Sequence, residues 1–350
     1  MKIKICFVYP WATFGGCERV LINRALAFSQ YCPDVLISFY FMHDAGGKHA
    51  FISALQKYGL EQTTSIVSSL NDSYDLVSLI DCPEAIKLCE SKKQRYIVEC
   101  HTGYANNRSY LKSLPHSCQQ VIVPSLSFKK VIEKEFTSLS IPISLLRNFV
   151  PWDIQTSKKS KKINLPKWER KPILFFGRLD KLKDPLSILD AFKILENRNK
   201  GEFILLICGP QTPEINIKEE LLKRSLSNSS VILPPIPFAS TEALLNAVAE
   251  AGGIFVSPSK SESFGLAAAE AISSTLPVLL SDIQAHVDLT QEYENIFTYP
   301  QGNTGQLVEN IEKIFKDYES SRISTTLLRN AFSAKRFMDD WNELLKKLEI

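Results

Sequence analysis

Short, nearly continuous apolar runs alternate with amphipathic stretches along most of the chain. Ile3–Tyr9 reads as a strand, a Gly-Gly turn follows, and Cys17–Ser29 has helical periodicity. Val35–Tyr40, Leu76–Ile80, Tyr96–Cys100, Val121–Val123 and Ile143–Leu146 extend the strand series. These runs are apolar at consecutive positions instead of every second one. Strands of a parallel sheet, covered by helices on both faces, have that pattern.

The rhythm breaks over Pro151–Lys171, "PWDIQTSKKSKKINLPKWERK", which is polar, lysine-rich and bounded by prolines. Such a stretch suits an inter-domain linker or an exposed loop. Beyond it the alternation restarts. Strands are expected at Ile173–Phe176, Phe203–Cys208, Val231–Leu233, Ile254–Val256 and Val278–Leu280. Helices are expected at Leu186–Glu196, Glu219–Leu226, Thr241–Ala249 and Leu266–Ser273. Two βα series in tandem predict an α/β protein of two doubly wound domains facing each other. The last stretch, "FSAKRFMDDWNELLKKLEI", sets Phe337, Trp341, Leu344 and Leu348 at helical spacing.

Length and composition narrow the class. A chain of 350 residues suits two ordinary domains. With 45% hydrophobic and 23% charged residues it has the make-up of a globular protein. A net charge of +3 makes no case for nucleic acid. The 8 cysteines form no CxxC pair and no zinc-like cluster. Cys6, Cys100 and Cys208 lie within apolar runs, so the thiols read as reduced and the compartment as cytosolic. The N-terminal apolar run is too short for a signal segment, and no stretch is apolar for long enough to span a membrane.

In open α/β sheets ligands bind beyond the C-terminal strand ends, and five features fall there. Gly15-Gly16 opens the first helix, where glycine lets a backbone approach a ligand and the helix start attracts anions. A plain tight turn explains it equally well. In "FFGRLDKLKD", Arg178 and Lys183 flank a turn and would suit a diphosphate; a solvated basic loop is the alternative. His101, in "IVECHTGY", could donate to a substrate hydroxyl, although a lone His is more often structural. Ser257-Pro258-Ser259 feeds the fifth feature, "ESFGLAAAE". There Ser263, Phe264, Gly265 and Leu266 lead into a helix whose start is an anion-binding end. Glu262 and Glu270 bracket it, each able to accept from a pair of sugar hydroxyls. For Glu262 the alternative is a helix-start charge, and for Glu270 a surface helix residue, against which the flanking alanines argue.

Together these stretches resemble the retaining glycosyltransferases of family 4, which have the GT-B fold. The E-x7-E signature is Glu262 to Glu270, preceded by "FVSPSKS" and followed by "EAISSTLPVLLSD". "GGCERVLINRALAF", "VIVPSLSFKK", "FFGRLDKLKD" and "ILLICGP" fall in the family order, so the resemblance covers nearly the whole chain. It implies an acceptor-side Rossmann-like domain over 1–155, a linker over 156–171, a nucleotide-sugar-binding domain over 172–330, and a terminal helix over 331–350 crossing back to the first domain. It implies that Glu270 holds the ribose and that Arg178 and Lys183 neutralise the diphosphate. Glu262 and the backbone of Phe264, Gly265 and Leu266, next to Ser263, would hold the donor sugar and phosphate. His101 would touch the donor sugar, and Gly15-Gly16 would let the first domain close over the diphosphate. The chain departs from the family where Thr275-Leu276 replaces a Gly before "PV", where Ile283-Gln284-Ala285-His286 replaces a Gly-rich turn, and where Asp288 stands for a Glu.

The expectation is therefore retaining hexosyl transfer from a GDP- or UDP-sugar to a glycan or lipid-linked acceptor in surface polysaccharide synthesis. No tightly bound cofactor, no metal and no nucleic-acid partner are expected. The linker lysines and Lys129-Lys130 could touch an anionic membrane surface, though ordinary solvation explains them more simply. A non-catalytic nucleotide-sugar-binding partner of another transferase is a second reading. A retaining glycosidase would require two carboxyl groups about 5–5.5 Å apart and would leave Arg178 and Lys183 idle.

Overall fold

The apolar runs become two all-parallel sheets. A computed structural model describes residues 3–13, 15–70, 73–154, 169–290 and 297–350. The chain divides into two units, Met1–Lys159 with Ser333–Ile350, and Ser160–Phe332. Of the segment 156–171 expected as a linker, residues 156–168 lie outside the described residues, and Lys171 already opens a strand.

The first unit is built on β1 (Lys4–Ala12), β2 (Leu36–Asp44), β3 (Thr64–Val67), β4 (Leu76–Ile80), β5 (Tyr96–Glu99), β6 (Val121–Val123) and β7 (Ile143–Leu145). Their order is β3-β2-β1-β4-β5-β6-β7. Every residue of β4, β5 and β6 is buried, which is why the sequence shows no period-two alternation there. The order reverses direction between β1 and β4. Connections leaving these two strands run to opposite faces and open a crevice at their C-terminal ends.

The helix Ala334–Lys347 belongs to this unit. Phe337, Trp341, Leu344 and Leu348 are all buried. Trp341 meets Phe28 edge-on at 5.0 Å, and Phe337 lies 4.8 Å from Phe149. Arg147 pairs with Asp340, and Arg95 Nη1 donates to the Leu348 carbonyl at 3.1 Å.

The second unit repeats the plan with β8 (Lys171–Phe176), β9 (Phe203–Cys208), β10 (Ser230–Leu233), β11 (Ile254–Ser257), β12 (Val278–Ser281) and β13 (Thr298–Tyr299). Their order is β10-β9-β8-β11-β12-β13, so the reversal falls between β8 and β11. At the β8 and β9 ends the backbones touch. A Cβ at Gly209 would sit 1.8 Å from the Gly177 carbonyl oxygen, so residue 209 has to be glycine. The helix Ile217–Lys223 stops short of Leu226, where Ser225 turns left-handed at φ 57°. Among the described residues no helix is long and apolar enough to cross a membrane.

Trp341 fills the space between the terminal helix and the first sheet. Trp341→Ala should cost about 3–5 kcal/mol, read as a lower urea midpoint of the first unit. A midpoint that does not move would show that the helix adds nothing to that unit.

Candidate functional site

In the second unit, the two loops that leave the reversal point meet each other. The loop after β8 carries Arg178, Asp180, Lys183 and Asp184. The buried Asp180 organises it, accepting the Lys183 backbone N–H at 2.8 Å and lying 3.0 Å from Arg178 Nε. The loop after β11 docks on it through the Lys260 N–H to Leu182 carbonyl bond of 2.8 Å and the Lys260–Asp184 ion pair of 3.2 Å. Lys183 Nζ pairs with Glu262 Oε1. Their side chains are 22% and 13% exposed, so the pair is shielded but still reachable. Arg178, paired with Asp180, is 45% exposed at the rim.

Glu262 therefore sits in a loop and Glu270 within the helix Leu266–Ser273, as the spacing suggested. Glu270 is 1% exposed, and Ala268, Ala269 and Ala271 around it are buried, so it is no surface helix residue. Ser263 and Phe264 lead to Gly265, which takes φ +86° at the helix cap. A Cβ there would lie 3.2 Å from the His286 ring, so conformation and space both demand glycine. Phe264 is buried against Phe332 at 6.1 Å, edge-on, and Leu266 begins the helix. The first backbone amides of any helix lack intrahelical acceptors, which gives this end its affinity for anions.

Sequence reasoning named the groups that tune Glu262 without bringing them to it. Burial opposes its charge. The Lys183 ammonium beside it, with His286 and the Ser259 hydroxyl, outweighs this and holds the carboxyl below its ordinary value. Ser259 is itself fixed, its carbonyl accepting from Ser281 Oγ at 2.6 Å. His286, noted in the sequence only as a departure, is wholly buried. Its Nδ1 lies 3.0 Å from the Ser281 carbonyl, so that nitrogen carries the proton. Its Nε2 has no hydrogen-bond partner among the described residues. Burial pushes this imidazole down to about 4, Lys183 acting in the same direction and Glu262 opposing.

In the first unit, His101 follows β5, next to the reversal point. Its ring bonds the buried Glu99, and its backbone N–H donates to Asp81 Oδ1 at 3.0 Å. Gly15 caps and Gly16 opens the first helix, Gly16–Tyr31. The buried Glu18 accepts from the Gly15 N–H at 3.2 Å, so a carboxylate already occupies part of that helix start. A side chain at Gly16 would meet nothing within 4 Å among the described residues. Arg178, Lys183, Ser263, Phe264, Gly265, Leu266, Glu262 and Glu270 thus share the second unit, and His101, Gly15 and Gly16 share the first. Glu99 and its partner Arg24 were missed. The signal that marks them is a charge of each sign set inside an apolar run, "YIVEC" and "LINRALAF".

Residues 156–325 match the family described as "Glycosyl transferases group 1". A sucrose synthase of Melioribacter roseus is 24% identical over 193 residues, 51% of this chain and 24% of that protein. The alpha-1,3/1,6-mannosyltransferase alg2 of Schizosaccharomyces pombe is 22% identical over 342 residues, 79% of this chain and 67% of that one. The capsular polysaccharide biosynthesis glycosyltransferase CapM of Staphylococcus aureus is 24% identical over 231 residues, 62% of this chain and 58% of its own. The chain thus spans about a quarter of the sucrose synthase and roughly 60–70% of the other two relatives. Anabaena HepE, solved in complex with UDP and glucose, superposes with a TM-score of 0.76 at 15% identity, covering 98% of this chain and 99% of that one. The architecture is that of the GT-B glycosyltransferases.

His286 makes stability pH-dependent. Its ordinary value is 6.5 and its folded value about 4, so between them the unfolded chain binds a proton that the folded chain does not. Stability is complete above pH 6.5 and falls as the pH drops toward 4. His286→Gln should flatten that slope in denaturation series; an unchanged slope would remove His286 as its source.

Proposed function

We propose, from the match of residues 156–325 to the group 1 glycosyl transferases, that the chain moves a hexose from a UDP- or GDP-sugar to a glycan or lipid-linked saccharide, retaining the anomeric configuration. The observation that carries this reading is the Lys183–Glu262 pair at the β8/β11 reversal, next to the start of the helix Leu266–Ser273.

The chemistry follows from charge. A departing nucleoside diphosphate gains negative charge, and groups already aimed at it lower the barrier. Lys183 and the more exposed Arg178 supply cations, and the amides at Phe264, Gly265 and Leu266 supply dipoles. When the diphosphate enters, it replaces Glu262 as the partner of Lys183. The released carboxylate then accepts hydroxyls of the transferred sugar. Glu270 accepts the ribose hydroxyls from within the helix. His101 contacts the transferred sugar, and Gly15-Gly16 gives the diphosphate backbone access. Departure and attack occur on one face of the sugar, so no protein nucleophile is required. The acceptor reading draws support from the mannosyltransferase and capsular relatives. The eight free thiols fit work in a reducing cytoplasm, with contact to the membrane face through acceptor lipid.

A panel of nucleotide sugars, scored by thermal shift and by release of free nucleoside diphosphate, tests the reading. One donor should both stabilise the chain and be slowly hydrolysed. No stabilisation by any member would sink it. Stabilisation without turnover, even with acceptor supplied, would favour the non-catalytic partner reading, which the buried His286 in place of a Gly-rich turn keeps in view.

Lys183→Ala should lower turnover about a hundredfold, the usual loss for one such electrostatic contact, with little change in melting temperature. Glu270→Ala should weaken nucleotide binding by calorimetry. Because Arg178 and Lys183 carry the charge neutralisation, turnover should persist in EDTA; strict dependence on added Mg²⁺ or Mn²⁺ would count against that division of labour.

A further inference from the structure

Four side chains in the core of the first unit form one closed polar cluster. Arg24, from the helix Gly16–Tyr31, donates from Nη1 and Nη2 to the two oxygens of Glu99, each at 2.7 Å. Ser78 of β4 donates to Glu99 Oε1. His101 Nε2 lies 2.9 Å from Glu99 Oε2. Arg24, Ser78 and Glu99 are all 0% exposed, and the His101 side chain is 4% exposed. Aromatic rings flank the guanidinium, with Phe7 at 5.4 Å and Phe337 of the terminal helix at 5.6 Å.

Stability alone is a weak reason for such a cluster. Taking two charges out of water costs about as much as their attraction returns, and apolar residues of similar volume often serve as well. Arg24 Nε even lacks a hydrogen-bond partner among the described residues. What the cluster does achieve is a fixed proton. Arg24 grips both oxygens of Glu99 and holds it ionised, so the carboxylate can only accept. His101 Nε2 must therefore be the donor in their bond. In the neutral ring the lone pair then sits on Nδ1, which makes no hydrogen bond among the described residues. The backbone is fixed as well. The His101 N–H is held by Asp81, a residue in the left-handed region at φ 44° just after β4.

We propose that Glu99 is the positioning residue of His101, holding Nε2–H inward and presenting the Nδ1 lone pair to a sugar hydroxyl. The assignment of that hydroxyl to the transferred sugar rests on the function proposed above; the tautomer does not. In its neutral form His101 is then an acceptor, so it selects a substrate with a hydroxyl at that point over an analogue with hydrogen or fluorine there. Arg24 and Ser78 act one step further back by fixing Glu99. Because Arg24 lies on the helix opened by Gly15-Gly16, and Phe337 on the terminal helix, the orientation of His101 depends on three segments far apart in the chain.

Nitrogen-15 spectra of the histidine side chains in the full chain test the tautomer directly. The chain has five histidines, and the signal missing from His101→Ala identifies the right one. His101 should show a protonated Nε2 and an unprotonated Nδ1 near pH 7. The opposite tautomer, or a mixture of both, overturns the proposal without needing any substrate.

The second arm uses Glu99→Asp, which keeps the charge for Arg24 but shortens the reach to His101. Donor turnover should fall about tenfold or more, as for other residues that orient a functional His, while the donor KM stays near its wild-type value. In a His101→Ala background the same change should add no further loss. Equal losses in both backgrounds would make Glu99 merely structural and overturn the proposal. Should Glu99→Asp fail to fold, the wild-type tautomer decides. Failure of every donor to turn over in the wild type would instead defeat the transferase reading and leave the tautomer result standing.

Discussion

Parallel strands cannot be joined by tight hairpins; each must return to the same edge through a crossover. That constraint shapes both units. Helices are forced onto both sheet faces, the strands between them become apolar throughout, and every outgoing loop emerges along one edge. Where the strand order reverses, at β1/β4 and again at β8/β11, neighbouring loops diverge to opposite faces. Lys183 and Glu262 leave from the two strands at one reversal. Asp81 leaves a strand at the other, and His101 leaves the strand beside it.

The two units treat charge in opposite ways. In the first, Glu99 is sealed in the core with donors on both oxygens, and the arrangement has no reason to change during a reaction cycle. In the second, the Lys183–Glu262 pair is shielded but not sealed, and the proposed nucleotide sugar would offer each member a new partner among its charges and hydroxyls. A sealed carboxylate orients a neighbour. A half-shielded pair can exchange partners, and its Coulomb energy, stronger than in water, is available to the incoming ligand.

The first unit is discontinuous in the chain. Its terminal helix supplies Phe337 against Arg24 and Trp341 against Phe28, so the surroundings of a residue near the N-terminus are completed by the last 18 residues. A truncation there would be felt at His101 through Arg24 and Glu99, although no residue of that helix bonds the imidazole.

Local pattern alone determined the strands with long apolar runs, such as Phe203–Cys208 and Leu76–Ile80, because burial on both faces leaves a mark at every position. It also marked the first helix, the terminal helix and four helices of the second unit, with the Gly-Gly and E-x7-E stretches. It did not mark β3, which is half exposed at a sheet edge, or β13, two residues long, because neither buries enough to show. Nor did it mark the helix Lys48–Tyr58, where only Phe51, Ala54 and Leu55 are buried. Glu262 and Glu270 stood out by spacing, and Arg178 and Lys183 by their place after a strand. Glu99, Arg24, Ser78 and His286 did not. A charged or polar residue in an apolar run looks like noise until the fold supplies its partner, and Arg24 and Glu99 lie 75 positions apart. The pairing of distant side chains, the tautomer it imposes on His101 and the buried seat of His286 depend on through-space distances. The tertiary structure decided those, because hydrogen bonds and charge act over ångströms and not over sequence positions.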